Sequence, residues 1–279
     1  MSWLRIKIVS NVYLGIIMDE QTWVALEQED GRVFLVEMLD KVHKIKGIGV
    51  LNPKEALTQV EIGESIQLGH KSFKRLPIGL PELSKSMIRR AQTISAKDAG
   101  MMISKMGIGS GSSVLEAGLG SGGLSMHIAH VLGNSGFHVT VEPRDEHAKV
   151  GLENLRRAKS CLPEFPQHHH VEGNIEEVVE DIKSIKSKFN SIILDLPQHS
   201  EAIRAIAPLL EMGGRICCYC PVTSQVESAW QTCEENGLKV EWAGELIERP
   251  WGRASRGGMR PVNGPFGHTA FLLIAIKND

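Results

Sequence analysis

The chain has 279 residues, 42% of them hydrophobic, and a formal net charge of −2. This is enough chain to bury a substantial core in one or two domains, and the charge balance alone selects no class of partner, since a local basic face would still serve a nucleic acid. No apolar run reaches the 18 or so residues of a membrane span, the opening Met1-Ser-Trp-Leu-Arg-Ile-Lys lacks a signal peptide's apolar segment, and an odd five cysteines argue against a disulfide framework, so a cytoplasmic chain with no membrane segment is expected.

Residues 1–75 carry short β-like runs at Ile6–Val9, Leu14–Met18, Thr22–Leu26, Val33–Glu37 and Ser65–Leu68. Turn signals such as Glu29-Asp30-Gly31 and Asn52-Pro53 separate them, a spacing that predicts a small barrel or sandwich. Gly69–Leu80 is polar and reads as a link to a second domain spanning 76–279. Helices are expected over Pro81–Gln92 and Lys97–Met106 from their apolar stripes. An α/β alternation follows, with strands at 113–117, 138–142, 168–172, 191–196 and 214–220 and helices near 123–132, 145–159, 175–186, 199–210 and 222–235. Such alternation predicts a parallel sheet covered on both faces. Two last strands, 240–248 and 267–276, have no helix between them and must pair antiparallel.

The chemistry concentrates at Val114–Ser125, where an apolar run ends in Glu116 and is followed by Gly118, Leu119, Gly120, Ser121, Gly122 and Gly123 before a helical pattern begins. Glycines permit positive φ and let a ligand approach bare backbone, and the helix start offers free N–H groups. The turn lacks the lysine of a phosphate loop, which argues against ATP or GTP. Gly118-x-Gly120-x-x-Gly123 fits the dinucleotide fingerprint, so NAD is weighed, but Glu116 would repel a pyrophosphate and suits a cationic ligand. The order Glu-x-Gly-x-Gly-Ser-Gly resembles the first motif of class I S-adenosylmethionine methyltransferases, and the reversed final strand is that architecture's ending too. Glu142 closes the second strand where an acid grips ribose hydroxyls. Asn174, after the third strand, is placed either to meet an adenine N6 or to cap a helix. Asp195 ends the fourth strand, where ligands of open α/β sheets sit, and is expected to face the reacting methyl.

Other clusters are read as structural. Adjacent residues of His168-His169-His170 point to opposite faces of a strand and cannot meet one metal. Cys217-Cys218-Tyr219-Cys220 has the wrong spacing for zinc, and with Cys161 and Cys233 reads as thiols behaving as small hydrophobes. No metal site is expected. Arg249, Arg253, Arg256 and Arg260 crowd the loop between the last two strands, beside Trp251, and suit phosphates through their forked donors. Lys71, Lys74, Arg75, Arg89 and Arg90 offer a second basic surface.

Taken together, His43-Lys44-Ile45-Lys46-Gly47, Arg90-Ala-Gln92 with Lys97-Asp98, Val114-Leu-Glu-Ala-Gly118 with Gly120-Ser-Gly-Gly123, Asp195-Leu-Pro197, Arg260-Pro261 and Gly267-His-Thr-Ala-Phe-Leu272 resemble the tRNA (adenine-N1)-methyltransferase family over nearly the whole chain. The resemblance implies a Rossmann-like α/β seven-stranded methyltransferase sheet with a small N-terminal β-barrel. It implies S-adenosyl-L-methionine as cofactor, tRNA as partner, and N1 of a T-loop adenosine as target. It implies that Glu142 holds the ribose, Gly118–Ser121 the methionine part and Asp195 the target base, and it adds His268 to the arginines on the RNA side. A homotetramer is implied, as in bacterial and archaeal members. Two departures stand out: Ser95-Ala96 where the family has an aromatic and a proline before Lys-Asp, and Gln198-His199-Ser200 where it has Pro-Trp after Asp-Leu-Pro. Both are expected to thin the stacking surface for the base. Three alternatives stay open: a non-catalytic tRNA-binding subunit, a methyltransferase with another substrate and, more distantly, an NAD dehydrogenase.

Overall fold

Parallel strands buried on both faces need apolar runs, and four such strands build the centre of the larger sheet, with a fifth, more polar parallel strand at its edge. In the computed structural model, which describes residues 22–255, 257–262 and 267–278, the chain divides into two units, Met1–Pro77 and Ile78–Asp279.

The first unit contains β1 (Trp23–Gln28), β2 (Val33–Glu37), β3 (His43–Ile45), β4 (Gly49–Leu51), the short helix α1 (Pro53–Leu57), β5 (Ser65–Leu68) and β6 (Lys71–Leu76). Its main sheet runs β2-β1-β6-β5 with every neighbour antiparallel, and β3 pairs with β4 in a separate ribbon. Val24, Leu26, Val36, Leu57 and Phe73 form its core. The expected runs Ile6–Val9 and Leu14–Met18 lie outside the described residues. Arg75 is not a surface cation: it is 9% exposed and its guanidinium donates to the carbonyls of Leu57 and Val60.

The second unit opens with α2 (Leu80–Ser86) and α3 (Ala96–Met106). It continues as β7 (Ser113–Ala117), α4 (Gly123–Leu132), β8 (Phe137–Glu142), α5 (Asp145–Cys161), β9 (Gln167–Glu172), α6 (Val179–Ile185), β10 (Phe189–Leu194), α7 (Ser200–Ile206), β11 (Leu210–Cys220), α8 (Thr223–Glu235) and β12 (Leu238–Glu245). A ribbon of β13 (Trp251–Arg253) and β14 (Met259–Pro261) precedes the last strand, β15 (Phe271–Lys277). The sheet order is β12-β15-β11-β10-β7-β8-β9, and β15 is antiparallel to both of its neighbours. Alternation sorts the strand residues: Leu115, Ala117, Ile192 and Leu194 face one core, while Val114, Ile193, Cys217 and Tyr219 face the other beside Met102, Leu124 and Ile128. Among the described residues no helix is long and apolar enough to cross a membrane, and no cluster of His, Cys, Asp and Glu has the arrangement of a metal site.

Two expectations are not met. Gly69–Leu80, expected as a polar link, instead holds β6, which pairs with β1 and β5 and buries Phe73 in the first unit's core. The helix expected over Pro81–Gln92 stops at Ser86, and 87–95 runs without regular structure. Its N–H groups at Ile88, Arg90 and Ala91 are taken by Asn154 and Ser121, side chains distant in sequence. Tertiary hydrogen bonds thus outcompete the local i→i−4 pattern.

Candidate active site

The carboxyl ends of β7, β8, β9 and β10 surround a cleft with two lobes. The first, about 330 Å³, is lined by Ala91–Ile94, the Gly118 and Gly120 backbone, Tyr219, Gln225 and Thr269. The second, about 250 Å³, is lined by Ala117, Val141, Glu142, Gly173, Asn174, Ile175 and Gln198. Gly118, Arg144, Asp195, Leu196 and Pro197 belong to both.

The glycine turn is shaped by close approach. Gly118 has φ +93°, and a Cβ there would run into the Asp195 carbonyl oxygen, so β7 and β10 end side by side only because residue 118 has no side chain. Gly120 has φ +53°; a Cβ there would meet Ala91 Cβ at 3.6 Å and the Gly118 carbonyl oxygen at 3.9 Å, and would otherwise look into the first lobe. Gly122 and Gly123 pack against Gly151 and Thr93, and Leu119 is buried beside Gly151. These three serve packing of the turn more than its open face. Ser121 likewise turns inward, its Oγ accepting from the N–H groups of Arg90 and Ala91 at 3.0 Å each.

Glu142 is fully buried and carries the best-organised carboxylate. It accepts from the Gly120 N–H at 2.9 Å and from Arg144 Nε at 2.7 Å and Nη2 at 3.2 Å. Burial pushes its pKa up, but the Arg144 and Gly120 hydrogen bonds outweigh that and hold it below the ordinary value of 4.5. Asp195 is the opposite case. Burial first, then the charges of Glu116 and Glu142, push its carboxyl up to about 7, against the opposing pull of Arg144. Burial also raises the Tyr219 hydroxyl to about 12, so it stands neutral in the first lobe.

Glu116 does not open to the cleft, contrary to the expectation that it would lie beside a cationic ligand. It alternates with Ala117 and therefore points under α4, where it is 1% exposed and accepts from Ser125 Oγ at 2.9 and 2.8 Å with His138 Nε2 at 3.0 Å. Its remaining influence is its charge, felt by Asp195. Asn174 lines the second lobe, and its amide donates to Glu177 Oε2 at 3.1 Å.

The two departures from the family pattern fall mostly outside the cleft. Ser95 caps α3 and donates to the buried Asp98 at 2.9 Å. His199 is 3% exposed beneath the rim, and Ser200 lies against α8, with Ser228 Oγ at 2.8 Å and Thr232 Oγ1 donating to it at 2.9 Å. Only Gln198 faces a lobe.

The arginines do not form one patch. β13 and β14 pair Arg253 with Met259 and Gly252 with Arg260, so alternation puts Arg253 on the face of Trp251 and Met259 and Arg260 on the other. Arg249 is exposed before the ribbon, and Arg256 lies outside the described residues. His268 is held at both ring nitrogens, Nδ1 at 2.7 Å from Glu245 and Nε2 at 3.0 Å from the Pro221 carbonyl; these contacts raise its pKa and favour the doubly protonated ring. Arg144, Tyr219 and Gln225 line the cleft without having stood out in the sequence as site residues. The spacing Glu142-x-Arg144 is the one available signal, a cation two residues beyond a strand-end acid.

A parallel sheet with a reversed strand inserted next to its edge, and a glycine turn and a strand-end acid at one cleft, define a class I methyltransferase, whose methyl donor is S-adenosyl-L-methionine. Residues 78–251 match the family described as tRNA methyltransferase complex GCD14 subunit, and the chain belongs to it. It is 29% identical over 245 residues to the tRNA (adenine(57)-N(1)/adenine(58)-N(1))-methyltransferase TrmI of Methanocaldococcus jannaschii, covering 82% of this chain and 86% of the relative. Identity to the tRNA (adenine(58)-N(1))-methyltransferase TrmI of Thermus thermophilus is 28%, over 89% of this chain and 94% of the relative. Among solved structures, a SAM-dependent O-methyltransferase from Thermotoga maritima superposes with a TM-score of 0.75 at 25% identity, covering 93% and 94% of the two chains. The tRNA (m1A58) methyltransferase TrmI from Aquifex aeolicus shares the fold, with a TM-score of 0.67 at 21% identity over 93% and 98%.

Proposed function

We propose that this chain transfers a methyl group from S-adenosyl-L-methionine to N1 of an adenosine in the T loop of tRNA. The observation that carries the reading is the two-lobed cleft with Asp195 on the wall between the lobes, in a chain of a tRNA methyltransferase family. The residues fit the cofactor. A buried carboxylate at Glu142 faces the second lobe ready for ribose hydroxyls, and the side-chain-free Gly120 leaves room along the first for the methionine part, with the Gly118 backbone lining it. When bound, the cofactor supplies an electrophilic methyl on a sulfonium.

The chain's own residues then have three tasks. Glu142, aligned by Gly120 and Arg144, orients the ribose, with Asn174 on the adenine side. Asp195 accepts from the exocyclic N6–H of the target base. In its ionised form it also offsets the positive charge that adenine gains as N1 is alkylated. N1 attacks through an in-plane lone pair and needs no prior deprotonation, so alignment supplies most of the rest. Because N1 lies on the pairing edge, the base must be unpaired and turned out. Arg249, Arg253, Arg256 and Arg260 are proposed to meet the phosphates, whereas His268, with both ring nitrogens engaged, is left to position Glu245 and the Pro221 carbonyl. A homotetramer and a cytoplasmic location complete the reading, on the family resemblance alone.

Incubation with labelled S-adenosylmethionine and total tRNA, followed by nucleoside analysis, tests it. Label in 1-methyladenosine is the expected result. Cofactor binding without label transfer would replace the proposal with a non-catalytic subunit, and label in another nucleoside would replace the target.

A further inference from the structure

The segment 87–95 contributes Ala91, Gln92, Thr93 and Ile94 to the first lobe, yet it has no regular structure of its own. Its position depends on two side chains. Asn154, in the middle of α5, is 1% exposed. Its Oδ1 accepts from the Ile88 N–H at 3.0 Å, and its Nδ2 donates to the Ile88 carbonyl at 2.8 Å and to the Ser121 carbonyl at 2.9 Å. Ser121, 2% exposed, continues the chain of contacts, accepting from Arg90 and Ala91 and donating to the Ala91 carbonyl at 3.3 Å. Both donors of the Asn154 amide are used, and its oxygen is too. Asparagine is a poor helix former, so its burial within α5 is explained by what it holds rather than by the helix. One amide therefore ties three pieces together: α5, the glycine turn and the segment facing it.

We propose that Asn154 is a positioning residue for the cofactor, latching 87–95 to the glycine turn so that these two adjoining walls of the first lobe keep their register. This rests on the methyltransferase reading above. Asn154 itself touches no ligand; it acts through Ser121 and Ile88. Losing it leaves two carbonyls and one N–H without their buried partner, and the wall loses its register before the sheet loses its fold.

The test uses the full chain. Calorimetry measures S-adenosylmethionine affinity, steady-state kinetics with tRNA separates KM for the cofactor from kcat, and hydrogen exchange of the ligand-free protein reads the 87–95 amides. Asn154→Ala is expected to raise both Kd and KM for S-adenosylmethionine about 10- to 100-fold, as several buried hydrogen bonds are lost, while kcat at saturating cofactor stays within about threefold. Exchange at 87–95 should quicken about tenfold or more, with α5 and β7 unchanged. Ser121→Ala, a smaller change, removes the second half of the latch and should shift affinity and exchange in the same direction; it decides the matter if Asn154→Ala does not fold. An unchanged cofactor Kd and KM in the folded variants, with only a lower Tm, overturns the proposal. If the wild-type chain binds no S-adenosylmethionine, the methyltransferase reading falls and this inference with it; wild-type binding with unaltered variants removes the latch alone.

Discussion

Asp195→Asn separates two consequences of one partly buried carboxyl. Its pKa is pushed from 3.8 up to about 7 by burial first and by the charges of Glu116 and Glu142. The folded chain therefore keeps a proton that the unfolded chain has released, and stability falls as pH rises from the unfolded pKa to the folded one. At about 1.4 kcal/mol per pH unit, full ionisation at pH 8.5 costs up to roughly 4 kcal/mol of stability. The amide has nearly the same shape and no charge. We expect it to melt several degrees above wild type at pH 8.5, at about 2–4 °C per kcal/mol for a chain of this size, and to match wild type near pH 4. Its kcat should fall about 10²- to 10³-fold, because the charge proposed to offset the developing adenine cation is gone. Wild-type single-turnover rates should rise with pH to a plateau, with a midpoint below the ligand-free chain's value of about 7 because the bound sulfonium favours the ionised carboxylate, and the variant's should be flat. Differential scanning calorimetry at the two pH values and single-turnover methylation provide the readings. A variant no more stable at pH 8.5 refutes the electrostatic argument; an unslowed transfer removes the base from the end of β10.

Further expectations concern the rest of the cleft and the ribbon. Glu142→Gln should weaken S-adenosylmethionine binding by about tenfold or more, since it breaks the charged pair with Arg144 as well as the proposed ribose contact. In the wild type, the stability Glu142 supplies is present above its ordinary value of 4.5 and is lost as pH falls through its lowered folded pKa, which acid titration of both proteins would reveal. Gly120→Val places a β-branched side chain at φ +53° and into the first lobe, so calorimetry should find no cofactor binding. His199→Ala should lower Tm and leave the pH profile of transfer intact, because the imidazole is buried beneath the rim; a lost profile with unchanged Tm would put it in the base site. Arg253→Ala should reduce the salt slope of tRNA binding by about one, and Arg260→Ala by less, since the two lie on opposite faces of the ribbon. Equal slopes in all three proteins would take the ribbon off the RNA face.

Much of the large sheet is legible in the sequence because buried parallel strands write themselves as apolar runs. Val114–Ala117, Val139–Val141 and Ile192–Leu194 are examples, and α4 falls where its apolar stripe puts it. The reversed β15 follows from the lack of a helix between the last two strands. Side-chain direction is harder. Glu116 is legible as an acid before a glycine turn, but whether it faces the ligand depends on its phase with Val114, and that phase sends it under α4 to Ser125 and His138. Residues 87–92 continue a helical pattern yet form no helix, because their partners, Ser121 and Asn154, are remote in sequence and no local pattern encodes them. Ser200, expected in the base site, instead joins hydroxyls across α7 and α8, a contact between helices that no strand-end rule anticipates.

Five residues are common to both lobes, and Asp195 is among them. Two occupants that share a wall are not independent guests. A positively charged occupant beside Asp195 draws its pKa down from about 7 and expels a proton close to neutrality. The proton is then a third ligand of the cleft, and linkage makes the relation mutual: each occupant sets the proton affinity, and the ambient pH sets how firmly each occupant is held.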